Sequence, residues 1–69
     1  MNPHDIYVNG APVQTRAAHL QALLQERGHQ LNAAFACAIN NTFVPRTQWA
    51  QRALQSGDRV DVIAPITGG

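Results

Sequence analysis

The pair Asn9–Gly10 constrains this chain more than any other feature. Both residue types accept positive φ, which a two-residue type I′ turn needs at both central positions. Short runs with strand character stand on either side. Residues 5–8 read Asp-Ile-Tyr-Val, with Ile6 and Val8 on one face by alternation. Residues 11–14, Ala-Pro-Val-Gln, form the expected return strand. Pro12 cannot donate a ladder hydrogen bond, so that strand belongs at a sheet edge. The chain therefore opens with an edge hairpin, and the remaining sequence must cover its apolar face.

Thr15 is the expected N-cap of a helix that supplies this cover. Leu20, Leu23 and Leu24 fall at i, i+3 and i+4, with Ala17 one turn earlier, and make one apolar stripe. Arg27 suits the negative end of the helix dipole, and Gly28 suits the left-handed position that ends a helix. Residues 29–33 read as a loop with Leu31 tucked beneath it. Residues 34–39 predict a third strand with Phe35, Cys37 and Ile39 facing the core. Asn40–Asn41 is a turn, and Thr42–Phe43–Val44 is a short fourth strand closed by Pro45. A short helical segment over 47–54 bears Trp49, Ala53 and Leu54, with Trp49 anchoring it on the sheet. After the turn Ser56–Gly57–Asp58, residues 59–64 form the last strand. Val60, Val62 and Ala64 face one way there, and Asp61 and Ile63 the other.

The order is thus β-β-α-β-β-(short helix)-β. A helical crossover lets the first and last strands pair in parallel. One helix across a face of such a sheet buries both apolar surfaces. The expectation is an α+β domain over residues 1–64: a mixed sheet with one crossing helix, the β-grasp or ubiquitin-like arrangement. Residues 65–69 follow as a flexible C-terminal Gly–Gly tail.

Size narrows function. At 69 residues this is one small domain with a marginal core, and eleven of its apolar residues are Ala. Such a chain is not expected to enclose the roughly 300–1,000 Å³ of a ligand pocket, which argues against an autonomous enzyme. A single Cys rules out an internal disulfide and fits a reducing cytoplasm. No Cys/His cluster points to a metal. Met1–Asp5 lacks the basic start and apolar run of a secretory leader. No apolar stretch approaches the roughly 20 residues that span a bilayer. Net charge is +1 without a charge run, which argues against nucleic-acid or membrane partners. All five basic side chains are Arg: Arg16, Arg27, Arg46, Arg52 and Arg59.

Few residues could hold chemistry. His4, His19 and His29 have no ligand-like spacing and read as neutral, solvated side chains. Asp58 reads as turn chemistry and Asp61 as solvent-facing. Cys37, between Phe35 and Ile39 on the inferred core face, reads as a small buried hydrophobe. Ile63 and Tyr7 are expected to share the uncovered sheet face, framed by Arg59, Asp61 and Pro65. They make a candidate partner surface or, equally, ordinary exposed apolar residues. Gly68–Gly69 is the sharpest signal. Five residues beyond Ala64 reach at most roughly 16–18 Å. Two terminal glycines add no bulk, so the end can thread a narrow channel and present its carboxylate to another protein. That carboxylate is ionised and becomes an acyl donor only once activated.

Ala38–Ile39–Asn40, Val44–Pro45–Arg46, Gln48–Trp49–Ala50, Gly57–Asp58–Arg59–Val60 and the final Gly68–Gly69 together resemble the ThiS family of thiamine-biosynthesis sulfur carriers. The resemblance spans nearly the whole chain. It implies a β-grasp fold and a protein co-substrate, not an enzyme. Gly69 would be adenylated with ATP and magnesium held by a ubiquitin-activating-type adenylyltransferase, and then converted to a thiocarboxylate. A sulfur donor protein would supply the sulfur and a thiazole synthase would receive it. Gly68, Thr67 and Ile66 would be the tail recognition residues. The chain itself would bind no cofactor. Cys37 departs from the larger aliphatic residue expected there. Pro65–Gly69 is also similar to the end of the small subunit of molybdopterin synthase, the alternative carrier. A ubiquitin-like modifier and a non-reactive β-grasp interaction module are the remaining alternatives.

Overall fold

The computed structural model describes residues 3–31 and 33–64. Five strands form one sheet: β1 (His4–Val8), β2 (Ala11–Thr15), β3 (Ala36–Ile39), β4 (Thr42–Val44) and β5 (Arg59–Ile63). Their order is β2-β1-β5-β3-β4. Among the described residues the one α-helix, α1, spans Leu20–Glu26, and a 3₁₀ turn spans Arg46–Gln48. β1 pairs antiparallel with β2 and parallel with β5, which makes the sheet mixed as expected. β3 pairs antiparallel with both β4 and β5. This is the β-grasp topology.

The opening hairpin forms as its sequence dictates. Asn9 and Gly10 both take positive φ, at 51° and 83°, and β2 with its Pro12 lies at the sheet edge. Gly28, at φ 84°, ends α1 in a Schellman motif. His29 N–H donates to the Leu24 carbonyl at 2.9 Å and Gly28 N–H to that of Gln25 at 3.0 Å.

The helix start departs from expectation. Thr15 is the last residue of β2, not the N-cap. His19 caps α1 instead: its Nδ1 accepts from Ala22 N–H at 3.1 Å. The segment between β2 and α1 is held by other means. Thr15 Oγ1 accepts from Ala17 N–H and donates to Glu26 at 2.6 Å, which ties the strand end to the last turn of the helix. His19 and Ala53 form an isolated bridge. Bonds from Leu20 N–H to the Arg52 carbonyl and from Leu54 N–H to the Ala18 carbonyl flank it. Tertiary hydrogen bonds thus fasten residues 18–20 to residues 52–54, with His19 extended, and the helix begins one turn later than its apolar stripe implies.

One core fills the space between α1 and one sheet face. Leu20, Leu23 and Leu24 of the helix meet Ile6, Val8, Cys37, Ile39, Val44 and Val60 of the strands, with Trp49 and Leu54 from the connection after β4. Each fully buried aliphatic side chain contributes about 1.5–3 kcal/mol. The third strand starts at Ala36, two residues later than expected, and Phe35 is only half-buried before it. The fifth ends at Ile63, not at residue 64. The helical segment expected over 47–54 contracts to the 3₁₀ turn followed by irregular turns.

Candidate functional site

β5 is the central strand and leads straight to the C-terminal segment. Val60 points into the core, while Arg59 and Ile63 stand exposed on the opposite face. Among the described residues no helix covers that face. Register places Phe43 of β4 beside Ala38 of β3 and Ala38 beside Asp61 of β5. Ile63 stands beside Ala36. Ile63 is 57% exposed and Phe43 64% exposed, the two most exposed large apolar side chains among the described residues.

Ile63 and Tyr7 do lie on one face of neighbouring strands, but they do not form one patch. Tyr7 is the register partner of Arg59, whose guanidinium lies 5.9 Å from the Tyr7 ring centroid. Ile63 sits four residues further along β5, about 13 Å away at ~3.3 Å per residue, with Asp61 between on the same face. The expected pair is therefore divided by a carboxylate. Ile63 instead joins Ala34, Phe35, Ala36 and Arg46 around an open, mainly apolar trough of about 410 Å³. A larger trough of about 690 Å³ lies against β1 and β2 and contains Asp5 and Ser56 but no nucleophile–base pair. Both volumes fall within the range that length alone argued against, but as open surface troughs rather than enclosed sites.

Phe43 was not singled out by its sequence context. Its exposure follows once Val44 is known to point inward, because neighbours on a strand face opposite ways.

The Val44–Pro45–Arg46 and Trp49 positions form a closed structural unit. Pro45 starts the 3₁₀ turn, and Trp49 folds back so that its indole N–H donates to the Val44 carbonyl at 3.0 Å. Trp49 is buried and stacks on Phe35 at 5.0 Å. The Arg46 guanidinium lies 4.5 Å from the Trp49 ring centroid and 5.3 Å from that of Phe35. It donates to the carbonyls of Leu31, Ala33 and Phe35, the last two at 2.7 and 3.1 Å. Arg46 thereby straps down the loop that forms one wall of the Ile63 trough.

Asn40 and Asp58 form a second unit at the start of β5. Asn40 donates to Asp58 at 3.1 Å and accepts from Arg59 N–H at 3.0 Å. Asp58 is buried and also accepts from Gln55 N–H at 2.9 Å, with Arg52 at 3.9 Å. Asp58 is thus turn chemistry, as read. Asp61 is half-buried rather than fully solvent-facing.

Cys37 is completely buried, and burial pushes its thiol up to about 11 against the opposing pull of Arg46. It packs as a hydrophobe and is no nucleophile at neutral pH. No group of His, Cys, Asp and Glu among the described residues could hold a metal. No helix there is long and apolar enough to cross a membrane. Gly69, Gly68, Thr67, Ile66 and Pro65 lie outside the described residues.

The sequence model of the ThiS family matches residues 6–69. The Sulfur carrier protein ThiS of Escherichia coli (strain K12) is 39% identical over 64 residues, which cover 93% of this chain and 97% of that protein. The fold is that of the crystal structure of a thiamine biosynthesis protein (ThiS) from Geobacter metallireducens. That match has a TM-score of 0.79 at 20% identity and covers 94% of this chain and 99% of the other. An NMR solution structure of a thiamine biosynthesis protein from the same organism matches with a TM-score of 0.74 at 20% identity, covering 94% and 87%.

Proposed function

The chain belongs to the ThiS family of sulfur carriers, and from that premise we propose the chemistry it undergoes. It is a small carrier and not a catalyst. Its reactive group is the carboxylate of Gly69, worked on inside larger partners. An adenylyltransferase of the ubiquitin-activating type holds ATP and magnesium. The carboxylate attacks the α-phosphate, pyrophosphate leaves, and the terminus becomes an acyl adenylate. A persulfide on a donor protein then attacks the acyl carbon and displaces AMP to give an acyl disulfide; a thiol attacks the donor-side sulfur of that bond, the terminus leaves as a thiocarboxylate, and the two donor sulfurs are left joined as a disulfide. Thiazole synthase takes that sulfur for the thiazole ring of thiamine. The place of work is the reducing cytoplasm, where the single Cys37 stays a thiol.

The observation that supports this reading best is the family match running through residue 69. The fold adds a physical reason. The central strand ends at Ile63 beside an exposed apolar trough, so a partner can grip the rigid sheet face while the following residues enter its active site. Gly68 and Gly69 add no side-chain bulk to such an entry, and Ile66 and Thr67 supply the channel contacts.

The test is intact mass after incubation with the activating partner, ATP, magnesium and a sulfur donor. One terminal oxygen should be exchanged for sulfur. Oxidation of Met1 or Cys37 gives a nearly equal shift, so a chain lacking Gly69 is the control. The same shift in the truncated chain overturns the reading. Co-purification should recover thiazole synthase. Recovery of the large subunit of molybdopterin synthase in its place assigns the carrier to the other pathway.

A further inference from the structure

Asn9 and Asn40 hold β5 from its two sides. Asn9 Oδ1 accepts from Val62 N–H at 2.8 Å, and Asn40 Oδ1 accepts from Arg59 N–H at 3.0 Å. Each sits at positive φ in an exposed two-residue turn. Their chemistry differs. The Asn40 amide nitrogen also donates to Asp58 at 3.1 Å. Donation to a carboxylate pushes electrons into an amide and makes its carbonyl carbon less electrophilic. Among the described residues the Asn9 carboxamide is held through its oxygen alone. Val62 N–H draws electrons from that carbonyl and stabilises negative charge forming on its oxygen.

The neighbouring nucleophile is free as well. Among the described residues no carbonyl accepts the Gly10 N–H. Gly10 has no Cβ to shield its nitrogen, and nothing lies within 4 Å of where a Cβ would stand. The residues after Asn40 and Asn41 are Asn and Thr, and both carry side chains that crowd their nitrogens.

We propose that Asn9–Gly10 is a self-modification site: in the folded chain Asn9 closes onto the Gly10 nitrogen as a cyclic imide and reopens in part as isoaspartate, which releases the end of β5. The Gly10 nitrogen attacks Asn9 Cγ and gives up its proton. The Cγ–Nδ2 bond breaks, and ammonia leaves with that proton and the electron pair. Water then opens the imide. Opening at Cγ gives aspartate, and opening at the main-chain carbonyl carbon gives isoaspartate. The balance is one ammonia lost and one water gained, with no other reactant. The inference is independent of the chemistry at Gly69.

The two products differ in structure. Aspartate keeps the turn and an acceptor oxygen for Val62. Isoaspartate routes the main chain through Cβ and Cγ, which lengthens by one carbon a loop fitted to the register of Val8 opposite Ala11. The former side-chain carbonyl enters the backbone, and Val62 N–H loses its partner. β1 pairs with β5 only at Tyr7–Arg59 and Val8–Val60, so no ladder bond on that side replaces it.

The experiment incubates the full chain in mildly alkaline buffer, folded and in parallel in urea, and follows each Asn by peptide mapping. The folded chain should form aspartate and isoaspartate at position 9 several-fold faster than at Asn40 or Asn41. An Asn9 that stays intact in the folded chain and converts only in urea overturns the proposal, as does conversion no faster than at Asn40 and Asn41. The modified forms are then separated by chromatography before hydrogen exchange, with Asn9→Asp as the reference for the aspartate product. Exchange at Val62 should be several-fold faster in the isoaspartate form than in the parent, and unchanged in Asn9→Asp. Equal protection of Val62 in the isoaspartate form and the parent overturns the release of β5.

Discussion

Asn9 performs two tasks that its side chain makes compatible. It takes the left-handed conformation at the hairpin turn, and its Oδ1 accepts from Val62 N–H at 2.8 Å. The second contact extends the β1–β5 ladder by one step towards the C-terminal segment. Asn9→Gly keeps the turn and removes the contact. Hydrogen exchange at Val62 should accelerate, with a stability loss of about 1 kcal/mol in urea unfolding. Unchanged protection would show that the contact does not hold the strand end. Cys37 offers a second test. The unfolded thiol ionises near its ordinary value of 9.0, while the folded one holds its proton to about 11. The unfolded state therefore loses its proton first, and stability falls as pH rises from about 9 to 11. The loss amounts to roughly 2–3 kcal/mol in total. Cys37→Ala lowers stability at neutral pH through the cavity it leaves, but its unfolding free energy should fall less steeply across that window. Parallel slopes for the two proteins would refute the assignment.

At the scale of elements, the residues that carry the family resemblance are mostly structural. Val44, Pro45, Arg46 and Trp49 close one turn on itself, and Asn40 with Asp58 fastens the start of β5. Arg46 holds the loop before β3 without any regular secondary structure in it. Arg46→Ala removes hydrogen bonds to three carbonyls and the stacking on two rings. We expect faster hydrogen exchange through residues 31–35 and a loss of about 2–3 kcal/mol, while the hairpin of β1 and β2 keeps its protection. Arg46→Lys should recover only part of the loss, because an ammonium cannot present the planar fork. The helix start belongs to this scale too. The apolar stripe from Ala17 implied a longer helix, but the bridge between His19 and Ala53 competes for the same backbone and wins. Nothing local to residues 15–19 encodes a partner that stands over thirty residues away.

For the whole molecule, the deciding fact is that β5 is central. The sheet's uncovered face includes the strand that ends at Ile63, so under the proposed function the surface offered to a partner lies on the strand that precedes residues 65–69 in the chain. Ile63→Asp, at an exposed position, should leave the fold intact. Adenylation of the terminus should show a KM raised on the order of 10-fold, corresponding to about 1.4 kcal/mol of lost contact. An unchanged KM would place the partner's grip elsewhere, with the Tyr7–Arg59 end of the same face as the next candidate.

The hairpin, the edge position of β2, the end of α1 at Gly28 and the alternation of core residues were all determined by the sequence. Each rests on a local cause: positive φ at Asn9 and Gly10, the missing donor of Pro12, the left-handed cap at Gly28, the two-residue period of a strand. The terminal glycines likewise direct attention to Gly69 without any fold. Only the tertiary structure decided register and competition. It separated Tyr7 from Ile63, brought Phe43 to the same face, moved the helix cap from Thr15 to His19, and gave Arg46 its strap. These outcomes depend on which distant backbone groups meet, and that is settled when one small core closes over all five strands at once.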